Sequence, residues 1–218
     1  VTFPFPLKET IYFCLLIFVC LTGIVRINAL SASGKIILAL GIFTLGSEIT
    51  SEICRVALRN NMMVFHIYNP VQYTLMAIAY NQEIKQGKII RLSIIGYVAF
   101  AILNAIFWQP FFEEYCSYSF NVNVVLVSSL CLYYLYRLLN QDTDNAFTQY
   151  PLFWISVGYL VYNCINILGL GAFNHLSADS RLAYMLEVIR TLSNYMLYSM
   201  FIIAFLTKQK SLQTSRRE

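Results

Sequence analysis

Seven apolar stretches, each close to the length of a bilayer-crossing helix, take up nearly all of this 218-residue chain. A spanning helix needs about 20 mostly apolar residues, and the stretches fall at about 9–26, 35–57, 65–83, 89–108, 117–138, 151–173 and 182–207. Only 12% of the residues are charged and mean hydropathy is +0.61, against about 25% charge in soluble domains. Helices are the open-chain way to satisfy a backbone in lipid, and the runs are too long and too evenly apolar for barrel strands. The expected fold is therefore all-α: a single polytopic membrane domain over residues 1–218, built as a seven-helix bundle.

The net charge of +4 reads as topology, so no nucleic-acid partner is expected. With loops placed alternately, one side receives Arg26, Lys35, Lys85, Lys88, Arg91, Arg137, Lys208, Lys210, Arg216 and Arg217. The other receives Lys8, Arg55, Arg59 and Arg181. The Lys/Arg-rich side is cytoplasmic by the positive-inside rule, which puts the N-terminus outside and the C-terminus inside. Glu113 and Glu114 fall on the outer side, in agreement. The basic tail from Lys208 suits an anionic inner surface. The first stretch resembles a signal peptide only in part: Arg26 interrupts before any cleavage site, and the run is long for an h-region, so it is read as a retained helix.

Aromatic residues gather where helices meet the interfaces. Trp108, Phe111, Phe112, Tyr115 and Tyr118 mark one end of helices four and five. Tyr133, Tyr134, Tyr136 and Trp154 mark the opposite end of helices five and six. The six cysteines form no C-x-x-C pair. Most behave as small apolar residues, and only Cys54 and Cys116 fall on a common side, without a spacing that frames a disulfide.

Ionisable residues inside spans are costly, at about 2.5–3.5 kcal/mol each on insertion scales, and count as functional candidates by default. Helix two carries Glu48, Glu52 and Arg55 on one face. Helix three carries His66, Asn69 and Tyr73 on one stripe. Helix six lines up Ser156, Tyr159, Asn163 and Asn166, and helix seven lines up Glu187, Arg190 and Asn194, with Tyr198 below them. At 1.5 Å per residue, Glu52 and Glu48 lie roughly 8 and 14 Å below the outer end of helix two. The polar set thus concentrates in the outer half.

One reading is a ligand pocket open to the outside and closed below by an apolar plug. Its expected ligand-binding residues are Glu48, Glu52, His66, Asn69, Tyr73, Asn163, Asn166, Glu187, Arg190 and Asn194. The other is interhelical glue, with Glu52–Arg55 and Glu187–Arg190 neutralised at i,i+3. Pro70 removes the N–H that would bond the His66 carbonyl, which frees an acceptor beside that imidazole. Helices one to three and five to seven run in matching directions around a linking fourth, the arithmetic of a 3+1+3 duplication.

No catalytic signature is complete. Two histidines, His66 and His175, are thin for a zinc site, and no metal or cofactor is expected. The first lysine of the last helix, Lys208, lies at its inner end, which disfavours a retinal Schiff base.

The segments Glu48-Ile-Thr-Ser-Glu52, His66-Ile-Tyr-Asn-Pro-Val-Gln72 and Phe153-Trp154 together resemble a family of bacterial seven-helix inner-membrane proteins, over essentially the full length. The resemblance implies a bacterial cytoplasmic-membrane location and supplies no catalytic residue. The layout is also similar to rhodopsins and receptor-like bundles, though architecture does not give function. The expectation is a membrane protein that binds or senses an unknown small molecule, lies in the lipid bilayer and signals to a cytoplasmic protein. A small transporter with Glu48 as coupling carboxylate, and an intramembrane metal-dependent hydrolase, are the alternatives.

Overall fold

In the computed structural model, which describes residues 7–140, 147–171 and 180–208, the chain is all-helical. The seven α-helices among these residues are α1 (Leu7–Val25), α2 (Ala32–Leu58), α3 (Met62–Ile84), α4 (Gly87–Phe107), α5 (Ser117–Leu139), α6 (Pro151–Gly171) and α7 (Ser180–Leu206). Each overlaps one of the seven expected stretches. A 3-10 turn, Phe147–Gln149, precedes α6.

Local chemistry sets the turns. The Ser31 hydroxyl caps α2 by accepting from the Gly34 N–H at 3.1 Å, which satisfies one of the orphan donors of the first turn. Arg59 and Lys85 end α2 and α3 in the left-handed region, at φ 54° and 57°. That conformation is uncommon for side chains other than Asn, Asp or Gly, and here it reverses the chain within two or three residues. The next helix then packs directly on the last.

Six helices close a ring in the order α1, α2, α3, α5, α6, α7 and back to α1, while α4 lies outside against α3 and α5. Across the ring, α2 touches α6. The core is buried Leu16, Val19, Ile37, Leu40, Met76, Tyr80, Tyr134, Ile155, Phe201 and Phe205. Ile95, Leu92, Ile106 and Phe107 of α4, like Ile53 and Val56 of α2, face outward and exposed. An apolar exterior of this kind suits lipid contact rather than water.

Five helices are by themselves long and apolar enough to cross a membrane: α1, α2, α4, α5 and the Val188–Leu206 part of α7. The apolar run of α6, Pro151–Ile167, is shorter, and α3 is not among the five. The reason is where α3 sits. Packed by α2, α4 and α5, it buries His66, Asn69, Gln72 and Glu83 on its inner sides. A helix surrounded by protein can carry polar residues that a lipid-facing one cannot. The helix also runs on through Pro70 without a break.

Helices α6 and α7 approach closely at Gly158. A Cβ there would stand 3.1 Å from both Leu197 Cδ1 and Met200 Cβ of α7. Small residues at such crossings let backbones approach in membrane bundles. Gly158→Val is expected to lower stability by about 1–3 kcal/mol through overpacking. Gly96→Val, where nothing lies within 4 Å, serves as the control. Denaturant titration in mixed micelles decides, and equal effects at the two positions would refute the close-packing argument.

Candidate functional site

Hydroxyls from α1 and α7 join Glu48 of α2 in one polar chain. The Tyr12 hydroxyl, from α1, donates to Glu48 Oε1 at 2.8 Å. It also lies 3.4 Å from the Tyr198 hydroxyl of α7, with the two rings 5.7 Å apart. Glu52 follows one turn later on the same helix. Tyr68 of α3 and Tyr162 of α6 lie within electrostatic reach of Glu48 as well. Tyr68 shares a 3.1 Å hydrogen bond with Thr44 and stacks on Phe43, at 5.9 Å and 1°. At the margin, Asn123 donates to Gln72 at 2.9 Å, and Gln72 donates to the Tyr159 hydroxyl at 3.3 Å.

Glu48, Tyr68 and Tyr162 are each half-buried. Arg190 is exposed, and Tyr115, from the connection between α4 and α5, is within reach of both Arg190 and Tyr162. Toward the opposite end the packing closes. The hydroxyls of Tyr80 and Ser156 meet at 2.7 Å, with Cys131 at 3.3 Å from the former, and the tyrosine ring packs edge-on to Tyr134.

The other expected site residues lie elsewhere. Glu52 pairs with Arg55 in its own helix, in a contact exposed at one end of α2. His66 Nε2 is 3.0 Å from the Glu114 carbonyl, and its ring packs on Phe111. Asn69 donates to Cys116 Sγ at 3.2 Å. Tyr73 donates to Ser93 of α4 at 2.8 Å and meets Tyr97 edge-on. Asn163 donates to Ser128 of α5 at 3.0 Å, and Asn166 donates to Ser193 of α7 at 2.7 Å. Asn194 is half-buried on α7. Among the described residues, no hydrogen bond or ion pair joins any two of the ten. His175, Lys210, Arg216 and Arg217 lie outside the described residues, as do the side chains of Arg181 and Glu187.

Two of the aromatic residues assigned to interfacial belts, Tyr115 and Tyr134, are buried inside, whereas Trp108, Phe112, Tyr118, Tyr133 and Tyr136 are exposed as expected. Cys54 and Cys116 are both free thiols. Burial pushes the Cys116 thiol up to about 12, so it serves as a packing and hydrogen-bonding group rather than a nucleophile.

Sequence reasoning missed Tyr12, Tyr68 and Tyr162. A signal was available at Tyr162, mid-span, where a hydroxyl must find a partner; Tyr12 and Tyr68 stand within the first two turns of α1 and α3. It also missed Glu83, which accepts from Ser33 at 2.9 Å near the other end of the bundle. Among the described residues, no three His, Cys, Asp or Glu side chains converge as a metal site.

No family model, curated protein or solved structure matches this chain. The functional reading therefore rests on the geometry.

Proposed function

We propose that this protein binds a small molecule at the Glu48 centre and passes occupancy on through helix movement. In this reading it is a seven-helix protein of a bacterial cytoplasmic membrane, N-terminus outside and C-terminus inside. Arg26, Lys35, Lys85, Lys88, Arg91 and Arg137 all fall at the end where α1, α3 and α5 finish and α2 and α4 begin, which supports that orientation. The pocket then faces the exterior, and its output goes to a cytoplasmic signalling protein.

One observation carries the reading: a half-buried carboxylate inside a span, Glu48, accepts from the Tyr12 hydroxyl, which lies 3.4 Å from the Tyr198 hydroxyl, so polar groups of α1, α2 and α7 meet in one place. Structural glue pairs neighbouring helices two at a time, whereas here three helices share one polar cluster. The transporter reading has support of its own. The triplets α1–α2–α3 and α5–α6–α7 meet through α3·α5 and α7·α1 alike, with α4 apart, as a 3+1+3 duplication requires. It ranks second because the half below the site is filled by packed side chains. The hydrolase reading ranks third for want of a ligand set.

Hydroxyl-radical footprinting of the full chain in nanodiscs tests the pocket, because oxidation marks side chains that touch water. Tyr68 and Tyr162 are expected to react, while Tyr80 and Tyr134, packed below, stay protected. Equal protection of all four would remove the pocket and leave a scaffold of paired helices.

A further inference from the structure

Helix α4 stands outside the ring of six, against α3 and α5. Its buried residues, Ile90, Tyr97, Ala101 and Asn104, mark the side turned to the bundle. At about 100° per residue, Lys88, Leu92, Ile95, Ala99 and Ile106 fall on the opposite side, and all five are exposed. Arg91 is exposed on the flank of the same stripe, and its Nε donates to the Gly87 carbonyl at 3.1 Å. Lys88 and Arg91, the two charged residues of α4, thus stand in its first two turns. An apolar strip runs on from them along one face.

Independently of the Glu48 reading, we infer that this strip holds an anionic phospholipid, its phosphate at Lys88 and Arg91 and an acyl chain along Leu92, Ile95 and Ala99. The lengths agree. One leaflet contributes about 15 Å of hydrocarbon, or about ten residues of helix, and Ala99 lies eleven residues past Lys88. Charge selects the occupant, because basic side chains at headgroup level attract anionic lipid. Among the described residues neither Lys88 nor Arg91 meets an acidic side chain. Asp142 and Asp144, assigned to the same end, lie outside the described residues. Ten basic residues are assigned to that end, however, against four acidic ones, Glu83, Asp142, Asp144 and Glu218. An excess of positive charge remains however those acids pair. A second copy of the chain fits the strip less well, since two-fold packing of parallel helices would set Lys88 and Arg91 against their own copies.

The full chain in detergent is titrated with phosphatidylglycerol and, separately, with phosphatidylcholine, and retained lipid is counted by native mass spectrometry. The expected result is saturable retention of phosphatidylglycerol at concentrations where phosphatidylcholine is not held. Lys88→Gln combined with Arg91→Gln should weaken that retention about thirtyfold, as the loss of two basic side chains at a headgroup implies. Lys35→Gln combined with Lys208→Gln removes the same charge from exposed positions assigned to the same end and should leave retention largely intact. All four substitutions are on the exposed surface, and the comparison of the two lipids uses the native chain.

Equal retention of the two lipids overturns the inference. So does an equal loss in both double variants, because the lipid would then answer to the general charge of that end and not to α4. Glycerophosphoglycerol, the headgroup without its chains, should compete poorly. Competition as strong as that of the whole lipid would mean a site for a free anion, with no part for Leu92, Ile95 and Ala99, and would overturn the inference as well. A dimer that dissolves in the Lys88→Gln, Arg91→Gln variant, with no lipid retained by the native chain, would give the strip to a second copy instead. None of these results touches the Glu48 centre, which stands or falls on the footprint of Tyr68 and Tyr162.

Discussion

Gln109→Ala is expected to destabilise the folded chain by about 2–4 kcal/mol, because one buried amide holds three partners at the α4–α5 corner. Asn104 Nδ2 donates to Gln109 Oε1 at 3.1 Å, and so does the Tyr118 backbone N–H at 3.0 Å. Gln109 Nε2 donates to Ser117 at 2.6 Å. Asn104 is 0% exposed, and its Oδ1 has no partner among the described residues. The alanine variant therefore strands the whole Asn104 amide.

Hydrogen bonds inside membrane bundles average well under 1 kcal/mol each, because the unfolded chain in lipid also finds partners. The larger figure comes from the groups left unpaired. That cause has its own signature. Adding Asn104→Ala to Gln109→Ala should cost less than the sum of the two single changes, since the second removes the amide that the first orphaned. Denaturant titrations of the four proteins in mixed micelles measure this directly. Strict additivity, or a cost near zero for Gln109→Ala, would refute the account.

This corner also explains why the sequence points beyond the site. His66 and Asn69 read as pocket residues because they are polar, intramembrane and on one stripe. Their partners are the Glu114 carbonyl and Cys116, which belong to the α4–α5 connection. Asn60 reaches the Phe112 carbonyl of the same segment, and Phe65 packs edge-on to Tyr115. A polar stripe on a central helix can face a ligand, a neighbouring helix or a folded-back loop. Periodicity fixes the face but not what lies across it.

Helix positions were legible for a simpler reason: apolar length is a property of the chain alone. Local pairs were legible too, since Glu52 and Arg55 are one turn apart and meet within α2. The ring was not, because closing it requires α7 to return to α1. Those helices are joined by contacts such as the Tyr195 hydroxyl donating to the Lys8 carbonyl at 2.6 Å, and Arg26 donating to the Leu206 carbonyl at 2.7 Å. The tyrosines around Glu48 come from four helices, and no spacing in the sequence relates them. Polarity is a weak guide here as well. Tyr counts as aromatic in a hydropathy scan, so its hydroxyl vanishes from a search for polar intramembrane residues.

Phe201→Ala is the substitution expected to damage the floor of the site. Phe201 is 1% exposed, and its ring centroid lies 5.9 Å from Tyr198, 6.1 Å from Tyr159 and 6.3 Å from Phe205. In a soluble protein a buried Phe→Ala change costs about 3–5 kcal/mol, part transfer from water and part cavity. In a bilayer the transfer part largely disappears, because lipid is as apolar as the core. The packing part remains, so about 2–3 kcal/mol is expected. Phe107→Ala, at a position 71% exposed at the end of α4, removes the same atoms without leaving a cavity and should change stability little. The loss at Phe201 has a second consequence. Tyr198 and Tyr159 would lose the ring that fixes their own, so the Tyr12–Tyr198 contact and the Gln72–Tyr159 bond would loosen together. Tyr159 and Tyr198 should then oxidise faster under hydroxyl radicals than in the native chain. Equal stability losses for Phe201→Ala and Phe107→Ala would mean that this floor is not packed, and with it would go the reason for ranking a closed binding site above a transport path.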